Sequence, residues 1–357
     1  MTRDGDASKM STKRHEGRDE PILDPDLPII DAHHHLFDLP GNRYMMEDFL
    51  ADAYAGHKIV ATVFCETQSL SRKDGPEWMR PLNEVEVANG IAALSATQRY
   101  GDCALCAGIV GHANLTFGAI IGELLDRCMA VAPERFRGVR HVTVEYPDER
   151  PFRYIMTYKP PAGILDSPGF ADGLTELSKR GLTFDAAVYD PSLPKLAALV
   201  DLFPDLTFVL DHMGVAVGVD MAEEEKRQVF SRWSAGIRDL ARRPNVVCKI
   251  GGLGMPVWGF GFETRAEPVG YRELANAWRP FIETTIEAFG ADRCMMESNF
   301  PPDGRSCGYV PLWNALKYAV SGCSTEEKGA LFNGTAARVY RLELGLAPEG
   351  LQPPAEG

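Results

Sequence analysis

The sequence predicts one (β/α)8 TIM barrel, and three observations support this fold class. Between residues 28 and 300, eight short apolar runs alternate with longer segments of helical pattern, which matches the order and size of such a barrel. The runs are almost continuously apolar, as expected for parallel strands covered on both faces. An open doubly wound sheet is the alternative. It would be expected to carry a glycine-rich phosphate loop after its first strand, where this chain has three consecutive histidines.

Each element has its own signal in the sequence. The eight predicted strands are residues 28–35, 58–67, 103–112, 136–144, 182–189, 207–214, 246–252 and 293–300. Helical patterns lie between them at residues 83–100, 118–131, 170–180, 193–203, 223–241 and 273–289. Gly181 and Gly290 are typical of helix ends, and Ser324 followed by Glu327 is typical of a helix start.

Composition and charge limit the classes of partner. The chain is 45% hydrophobic with a net charge of −13, which disfavours nucleic acid and anionic membranes as partners. No apolar run reaches the roughly 18 residues of a membrane span. Eight scattered cysteines, several of them in strand-like runs, indicate free thiols in the cytoplasm. We expect a flexible tail at residues 1–27, a barrel at 28–345 and a C-terminal tail at 346–357.

The motif Ile30-Asp31-Ala32-His33-His34-His35 is the most informative feature of the chain. Side chains alternate along a strand, so His33 and His35 face the same way and His34 faces the opposite way. Two imidazoles on one face at the end of a buried strand can bind a metal ion or transfer protons. We therefore predict that His33 and His35 belong to a catalytic site at the barrel mouth.

Other polar residues also lie late in the predicted strands, where barrel active sites form. They are His112, His141, His212, Glu66, Arg140, Asp185, Tyr189, Lys249, Glu297 and Asn299. Arg140 is expected either to bind a substrate carboxylate or to pair with Glu145 or another acid. Lys249 has the same two alternatives, and Glu66 either acts in catalysis or braces a histidine. His141 alternates away from Arg140 and is expected to face the helices.

Three long connections follow strands at the same face of the barrel, at residues 145–168, 252–269 and 301–310. Long loops in a compact barrel are usually functional. Their aromatic residues are Tyr146, Phe152, Tyr154, Tyr158, Trp258, Phe260, Phe262 and Tyr309. We interpret these loops as an aromatic cover for the substrate, with Trp258 among its contacts. A homodimer contact made by the same aromatics is the alternative.

The ordered motifs resemble those of the amidohydrolase superfamily, specifically its lactonase-like branch of the amidohydrolase-2 type. Besides the strand-one histidines, they are Gly138-Val139-Arg140-His141, Leu182-Thr183-Phe184-Asp185, Val209-Leu210-Asp211-His212-Met213-Gly214, Asn245-Val246-Val247-Cys248-Lys249 and Glu297-Ser298-Asn299-Phe300-Pro301. The resemblance covers residues 28–341. It implies a barrel hydrolase acting on lactones, or, as in sister branches, a decarboxylase of aromatic or muconate-type acids.

One position departs from the family pattern. The resemblance implies an aspartate at the end of strand eight that orients or deprotonates the attacking water, and this chain has Asn299 there. An amide cannot accept a proton near neutral pH. Candidates for the missing base are Glu66, Glu297, Asp303 and His212. Asn299 itself could orient the water or stabilise an oxyanion through its NH2 group.

These observations lead to one principal hypothesis and two alternatives. The principal one is hydrolysis of a small carboxylated lactone, with the carbonyl polarised by His33, His35 and His212. Glu66 or Asp303 would help to take the proton, and Arg140 would hold a substrate carboxylate. The alternatives are a metal-dependent decarboxylase of an aromatic or unsaturated acid, and a catalytically weakened binding protein that lacks the usual aspartate.

The same three histidines, His33, His35 and His212, are the candidate metal ligands. Imidazole nitrogens suit Zn²⁺, so a single divalent ion, with zinc as the first candidate, is the expected cofactor. The family resemblance also implies members that work without metal, in which the histidines themselves polarise the carbonyl. The expected partner is an anionic small molecule.

Overall fold

Eight parallel strands form the predicted barrel in the computed structural model, which describes residues 18–155 and 159–344. The strands, in chain order, are β1 (Ile29–His34), β2 (Phe37–Leu39), β3 (Asn42–Tyr44), β4 (Ile59–Cys65), β5 (Ala104–His112), β6 (Phe136–Val142), β7 (Thr183–Ala187), β8 (Phe208–Leu210), β9 (Val246–Ile250) and β10 (Cys294–Met296). The barrel order is β1-β4-β5-β6-β7-β8-β9-β10, while β2 and β3 form a small antiparallel pair. The eight-stranded parallel sheet confirms the predicted fold class.

Helices cover the outside of the sheet. They are α1 (Met46–Ala53), α2 (Leu82–Ser95), α3 (Ile121–Val131), α4 (Pro168–Lys179), α5 (Leu193–Asp201), α6 (Glu223–Leu240), α7 (Tyr271–Phe289), α8 (Tyr309–Ala319), α9 (Thr325–Gly329) and α10 (Thr335–Val339). The structure agrees with the sequence signals predicted for the end of one helix and for the start of another. Gly181 after α4 has φ +61°, and at the start of α9 Ser324 and Glu327 exchange side-chain bonds with each other's backbone N–H.

The first and last barrel strands meet at the residues that carry the strongest motifs. His34 forms a parallel bridge with Phe300. The Asn299 amide donates to the His33 carbonyl at 2.8 Å, and the His35 amide donates to the Phe300 carbonyl at 2.8 Å. Closure of the barrel therefore brings Asn299 beside the strand-one histidines.

The barrel interior is built in two layers. The first is apolar and includes Ile30, Val63, Val110, Val209, Val247 and Met295, with Tyr340 from beyond α10 packed among them. Two residues further along β9 comes Lys249, and Asp211 and Glu297 follow β8 and β10 with the same spacing. Because side chains on one face recur every second residue, the charged layer lies directly above the apolar one, toward the carboxyl ends of the strands.

Part of the predicted N-terminal tail packs on the barrel. Glu20 Oε1 accepts a hydrogen bond from the Tyr271 amide at the start of α7. Asn314 of α8 contacts both Pro21 and Leu23, and the buried Lys317 Nζ donates to the Leu23 carbonyl at 2.8 Å. Contacts with the barrel thus begin before residue 28. Residues 1–17 and the predicted tail at 346–357 lie outside the described residues.

Two expectations from composition concern the chain as a whole. Every one of the eight cysteines is free, in agreement with the prediction of unpaired thiols. No helix among the described residues is long and apolar enough to cross a bilayer.

Candidate active site

The strand-one histidines lie as the alternation predicts. His33 Nε2 and His35 Nε2 are 3.1 Å apart, whereas His34 points away and contacts Thr62 Oγ1 at 2.9 Å. His35 Nδ1 lies 2.9 Å from the Cys65 carbonyl, so this nitrogen carries the proton and donates it, which leaves Nε2 as the basic atom. Burial lowers the pKa of His35 well below its ordinary value, and the neighbouring Arg140 adds to this effect.

His212 enters the site from the turn after β8. Its backbone is left-handed, with φ +51°, and Met213 follows at φ +55°. This turn interrupts the two-residue alternation, so that both Asp211 and His212 line the same cavity. His212 Nδ1 lies 2.6 Å from Glu297 Oε1. Burial opposes protonation of His212, but the Glu297 carboxylate outweighs it and raises the pKa of the imidazole.

Arg140 is bound by the protein itself. Its Nε donates to Glu66 Oε1 at 2.8 Å, and one terminal nitrogen donates to the Glu66 carbonyl at 2.7 Å. The other terminal nitrogen is 3.3 Å from His33 Nε2. The acid that pairs with Arg140 is therefore Glu66. Glu145, the other candidate, instead accepts from the Gly163 amide and pairs with Lys195.

Lys249 lies beneath the histidines and is fully buried. Its Nζ is 2.7 Å from Asp185 Oδ2 and 3.1 Å from Asp211 Oδ1. Asp185 Oδ2 also accepts a 2.6 Å hydrogen bond from the Tyr340 hydroxyl. Burial acts against the charge of Lys249, but Asp185 and Asp211 raise its pKa well above the ordinary value. Neither Lys249 nor Asp185 lines the cavity, so their expected role as substrate contacts gives way to that of a buried ion pair.

Asn299 lines the cavity, with Asp303 behind it. Asn299 Nδ2 donates to Asp303 Oδ1 at 2.7 Å, and the Gly254 amide donates to Asp303 Oδ2 at 2.8 Å. Burial raises the pKa of Asp303 to about 8. Since Asp303 is fully buried and does not line the cavity, it orients Asn299 rather than taking a proton from bound water.

These side chains surround a cavity of about 140 Å³ at the carboxyl ends of the strands. Its polar and charged residues are Thr67, His35, Arg140, Asp211, His212, Asn299 and Arg305, together with Tyr154 and Tyr189. Its wall is mostly apolar and includes Phe37, Val142, Val144, Ile155, Val215 and Met255. The cavity therefore suits a small ring that meets polar groups on one side and apolar side chains on the other.

The predicted aromatic residues separate into two groups. Tyr189 and Tyr154 line the cavity. Trp258 does not: its Nε1 donates to the Gly252 carbonyl at 2.8 Å, and its ring packs 5.0 Å from that of Phe281 on α7. Trp258 therefore stabilises the conformation of its own loop and does not line the cavity. Tyr158 lies outside the described residues.

The charged layer has the chemistry of a cation site. Four buried carboxylates face two buried cations, namely Glu66, Asp185, Asp211 and Glu297 against Arg140 and Lys249. Asp211 and Glu297 are held by ion pairs: Lys249 Nζ is 3.1 Å from Asp211 Oδ1, and His33 Nδ1 is 3.2 Å from Glu297 Oε2. His33, His212 and Glu297 offer ligand atoms within 4.8 Å of one another, as do His33, Cys65 and Asp211. Glu297, rather than the expected His35, thus completes the first of these groups.

Residues of this site that were not among the candidates from sequence include Arg305 and Thr67 of the cavity wall, and Asp211 and Tyr340. Asp211 stands in the Val209–His212 motif, but strict alternation would have turned it away from His212. Tyr340 lies after the last predicted strand, and no local pattern shows that it reaches the barrel interior. For Asp211, its position next to His212 in the sequence was a signal that could have been used. For Tyr340 the sequence contains no such signal.

Comparisons with known proteins agree with this fold and show the family. The amidohydrolase family model matches residues 30–342. An uncharacterized protein of Sinorhizobium fredii is 32% identical over 89% of this chain and 99% of its own length. An L-fucono-1,5-lactonase of Burkholderia multivorans is 28% identical over 76% of this chain and 88% of its own. A crystal structure of a Burkholderia multivorans amidohydrolase with bound zinc covers 88% of this chain and 99% of its own, with a TM-score of 0.65 at 23% identity.

Proposed function

Since the chain belongs to the amidohydrolase family, we propose that this enzyme hydrolyses a small cyclic ester carrying an anionic group. One observation carries the proposal. His35 and His212 line the same cavity, and each has its Nδ1 anchored to a protein oxygen. This leaves His212 Nε2 facing the cavity, and it leaves His35 Nε2, which lies 3.1 Å from His33 Nε2, as the basic atom of His35. The lactonase relative supports a cyclic ester as the substrate.

The two histidines have opposite electrostatic surroundings, which assigns their roles. Burial and Arg140 lower the pKa of His35, which favours its neutral form, and Glu297 raises the pKa of His212, which favours its protonated form. Two titratable groups whose pKa values are displaced in opposite directions act as base and acid. We assign His35 as the proton acceptor and His212 as the proton donor.

Hydrolysis then proceeds with both protons accounted for. Water attacks the carbonyl carbon of the ring ester, and its proton passes to His35 Nε2. The ring C–O bond breaks, and the leaving oxygen takes the proton from His212 Nε2. Glu66 and Asp303, the carboxylates first considered for proton transfer, do not line the cavity and serve to hold Arg140 and Asn299.

Asn299 orients the water in this scheme. Its Nδ2 is directed to Asp303 Oδ1, which leaves Oδ1 to accept a hydrogen bond from water. This role differs from the oxyanion contact through NH2 that the sequence also allowed. Arg140, fixed on Glu66 beside His33 and His35, adds positive potential where negative charge develops on the carbonyl oxygen.

A divalent ion fits the donors of the charged layer. His33, His212 and Glu297 would hold it with His212 in its neutral form, so the ion and the His212 proton would be alternative occupants of this site. The excess of buried carboxylates over buried cations favours a cation there. Zn²⁺ suits such a mixed nitrogen and oxygen set. When bound, the ion would polarise a carbonyl and lower the pKa of a water molecule.

A decarboxylase of an unsaturated acid is the second candidate. The apolar wall and the rings of Tyr154 and Tyr189 also suit a planar acid, and a protonated His212 could deliver a proton to carbon after loss of carbon dioxide. The third hypothesis, a weakened binding protein, is disfavoured because both histidines keep their anchoring partners.

The proposed chemistry is tested by two substitutions and a matched control. We expect His35→Asn and His212→Asn each to lower kcat/KM for a carboxylated lactone by about 10²-fold or more. His57→Asn is the control, because His57 contacts Val310 and Lys317 away from the cavity. Full activity of both site variants would refute the assignment of these histidines.

A further inference from the structure

A second arginine lies in the wall of the cavity. Arg305 ends the short turn Pro302–Arg305 after β10, and its half-buried side chain lines the cavity. Its guanidinium carbon lies 5.6 Å from the centroid of the Tyr154 ring. Within residues 18–155 and 159–344, no carboxylate forms an ion pair with Arg305. The guanidinium nitrogens therefore have free hydrogen-bonding capacity.

Arg140, the other arginine of the cavity, has much less of this capacity left. Two of its nitrogens donate to Glu66 and the third is next to His33. Glu66 and His33 engage one N–H on each of the three Arg140 nitrogens, so a two-pronged contact between a substrate carboxylate and Nε with a terminal nitrogen would have to displace Glu66 and leave a buried carboxylate without its partner. Displacement of this kind is costly. Lys249 is excluded by position, because it lies beneath the cavity and its charge is matched by Asp185 and Asp211.

Arg305 also lacks compensation for its own burial. Desolvation lowers the pKa of its guanidinium, and Tyr154 and Glu263 oppose this effect from a distance. A partly desolvated cation gains from an anion placed against it. The planar fork of an arginine matches the two oxygens of a carboxylate. An anion in the cavity would thus form the ion pair with Arg305 that no carboxylate of the described residues forms.

We propose that Arg305 binds the anionic group of the substrate and selects a carboxylated ring. The inference rests on the proposed function and deepens it. The ring ester lies on His35 and His212, its apolar face packs on the cavity wall, and its carboxylate reaches Arg305. The anion-binding role first expected of Arg140 and Lys249 belongs to Arg305.

Benzoate is a suitable probe, since it joins a flat ring to a carboxylate and has no ring ester to hydrolyse. Its binding to the whole enzyme is measured by titration calorimetry, with the neutral benzamide in parallel. We expect Arg305→Met to weaken benzoate binding by about tenfold or more and to leave benzamide unchanged. Arg305→Lys keeps the charge and should lose less. The matched control is Arg150→Met, because Arg150 is held by Asp148 and does not line the cavity.

The outcomes separate this inference from the proposed hydrolysis. Equal benzoate affinity in the wild type and Arg305→Met would overturn the role of Arg305, as would no benzoate binding to the wild type. If cyclic esters are opened while Arg305→Met binds benzoate normally, hydrolysis stands and the assignment of Arg305 is wrong. If Arg305 controls benzoate binding but no cyclic ester is opened, the anion site stands and the hydrolysis is wrong.

Discussion

His212 Nδ1 lies 2.6 Å from Glu297 Oε1, and both groups are almost completely buried. The pair joins the turn after β8 to the end of β10 across the barrel. A carboxylate that anchors one imidazole nitrogen fixes the tautomer and presents the other nitrogen to the substrate. The acid function that we propose for His212 therefore depends on Glu297, although Glu297 does not itself line the cavity.

The first prediction concerns this pair. Glu297→Gln preserves shape but removes the charge that raises the pKa of His212, so we expect kcat/KM to fall by about 10²-fold or more. The pH–rate profile should change too, with the limb assigned to His212 moving to lower pH. Glu176→Gln is the control, since Glu176 pairs with Lys179 and Arg180 on α4. An unchanged pH–rate profile would show that Glu297 does not control the pKa of the proton donor.

The variant Asn299→Asp tests whether the absence of an aspartate at this position lowers the activity of the site. Asn299→Asp would place a second carboxylate against Asp303 Oδ1, where the amide now donates at 2.7 Å. Because two buried carboxyl groups at this distance cannot both be ionised, one of them must keep a proton and the contact that orients residue 299 changes, so we expect activity to fall by about tenfold or more. The double variant Asn299→Asp with Asp303→Asn restores a donor to the pair and should recover part of the loss. A gain of activity in Asn299→Asp alone would favour the weakened binding protein.

Lys249 is predicted to matter for stability. Lys249→Met leaves Asp185 and Asp211 buried without their cation, and we expect a loss of about 3–5 kcal/mol in the free energy of unfolding. Urea denaturation measures this value. Lys195→Met removes a partly exposed surface pair and should cost below about 1 kcal/mol. If the Lys249→Met variant had unchanged stability and a raised KM, Lys249 would bind substrate instead of stabilising the fold.

Acid should destabilise the protein through buried neutral histidines. Burial, reinforced by His112, lowers the pKa of His141 to about 3, against about 6.5 in the unfolded chain. Between these values the unfolded state binds the extra proton, so stability is present above pH 6.5 and is lost as pH falls. The loss reaches about 1.4 kcal/mol per pH unit for one such group.

His141→Leu removes this titration from the folded and unfolded states. The variant should be less stable than the wild type at pH 7, because the Leu115 amide loses its acceptor, but its stability should fall less between pH 6.5 and pH 4.5. Urea midpoints at several pH values measure both effects. Parallel curves for the two proteins would show that His141 contributes nothing to acid lability.

Metal content is the next prediction. We expect about one divalent ion per chain in the purified protein by elemental mass spectrometry, with loss of the ion in His33→Ala and Glu297→Gln. His57→Ala is the control and should keep the metal. Chelation should also lower the thermal midpoint, since a ligand that binds only the folded state stabilises it. A folded wild type without metal would contradict the proposed ion.

The sequence predicted the barrel because its signals are local. Each of the eight strands is a short apolar run, and strand alternation correctly placed His33 and His35 together and His34 apart. Long-range features were less accessible. The left-handed turn at His212 breaks the alternation of side chains, so the sequence did not indicate that Asp211 lies in the site. Tyr340 contacts Asp185, which is 155 residues away in the chain. Trp258 shows a further limit, because aromatic character alone does not distinguish a cavity wall from loop packing.

The most direct test of the central claim is the identity of the product. The purified enzyme is incubated with a panel of small carboxylated lactones, and the reaction is followed by NMR with parallel detection of carbon dioxide. The account predicts one ring-opened hydroxy acid for each lactone consumed, without carbon dioxide. Release of carbon dioxide in proportion to substrate loss, or no turnover of any cyclic ester, would contradict it.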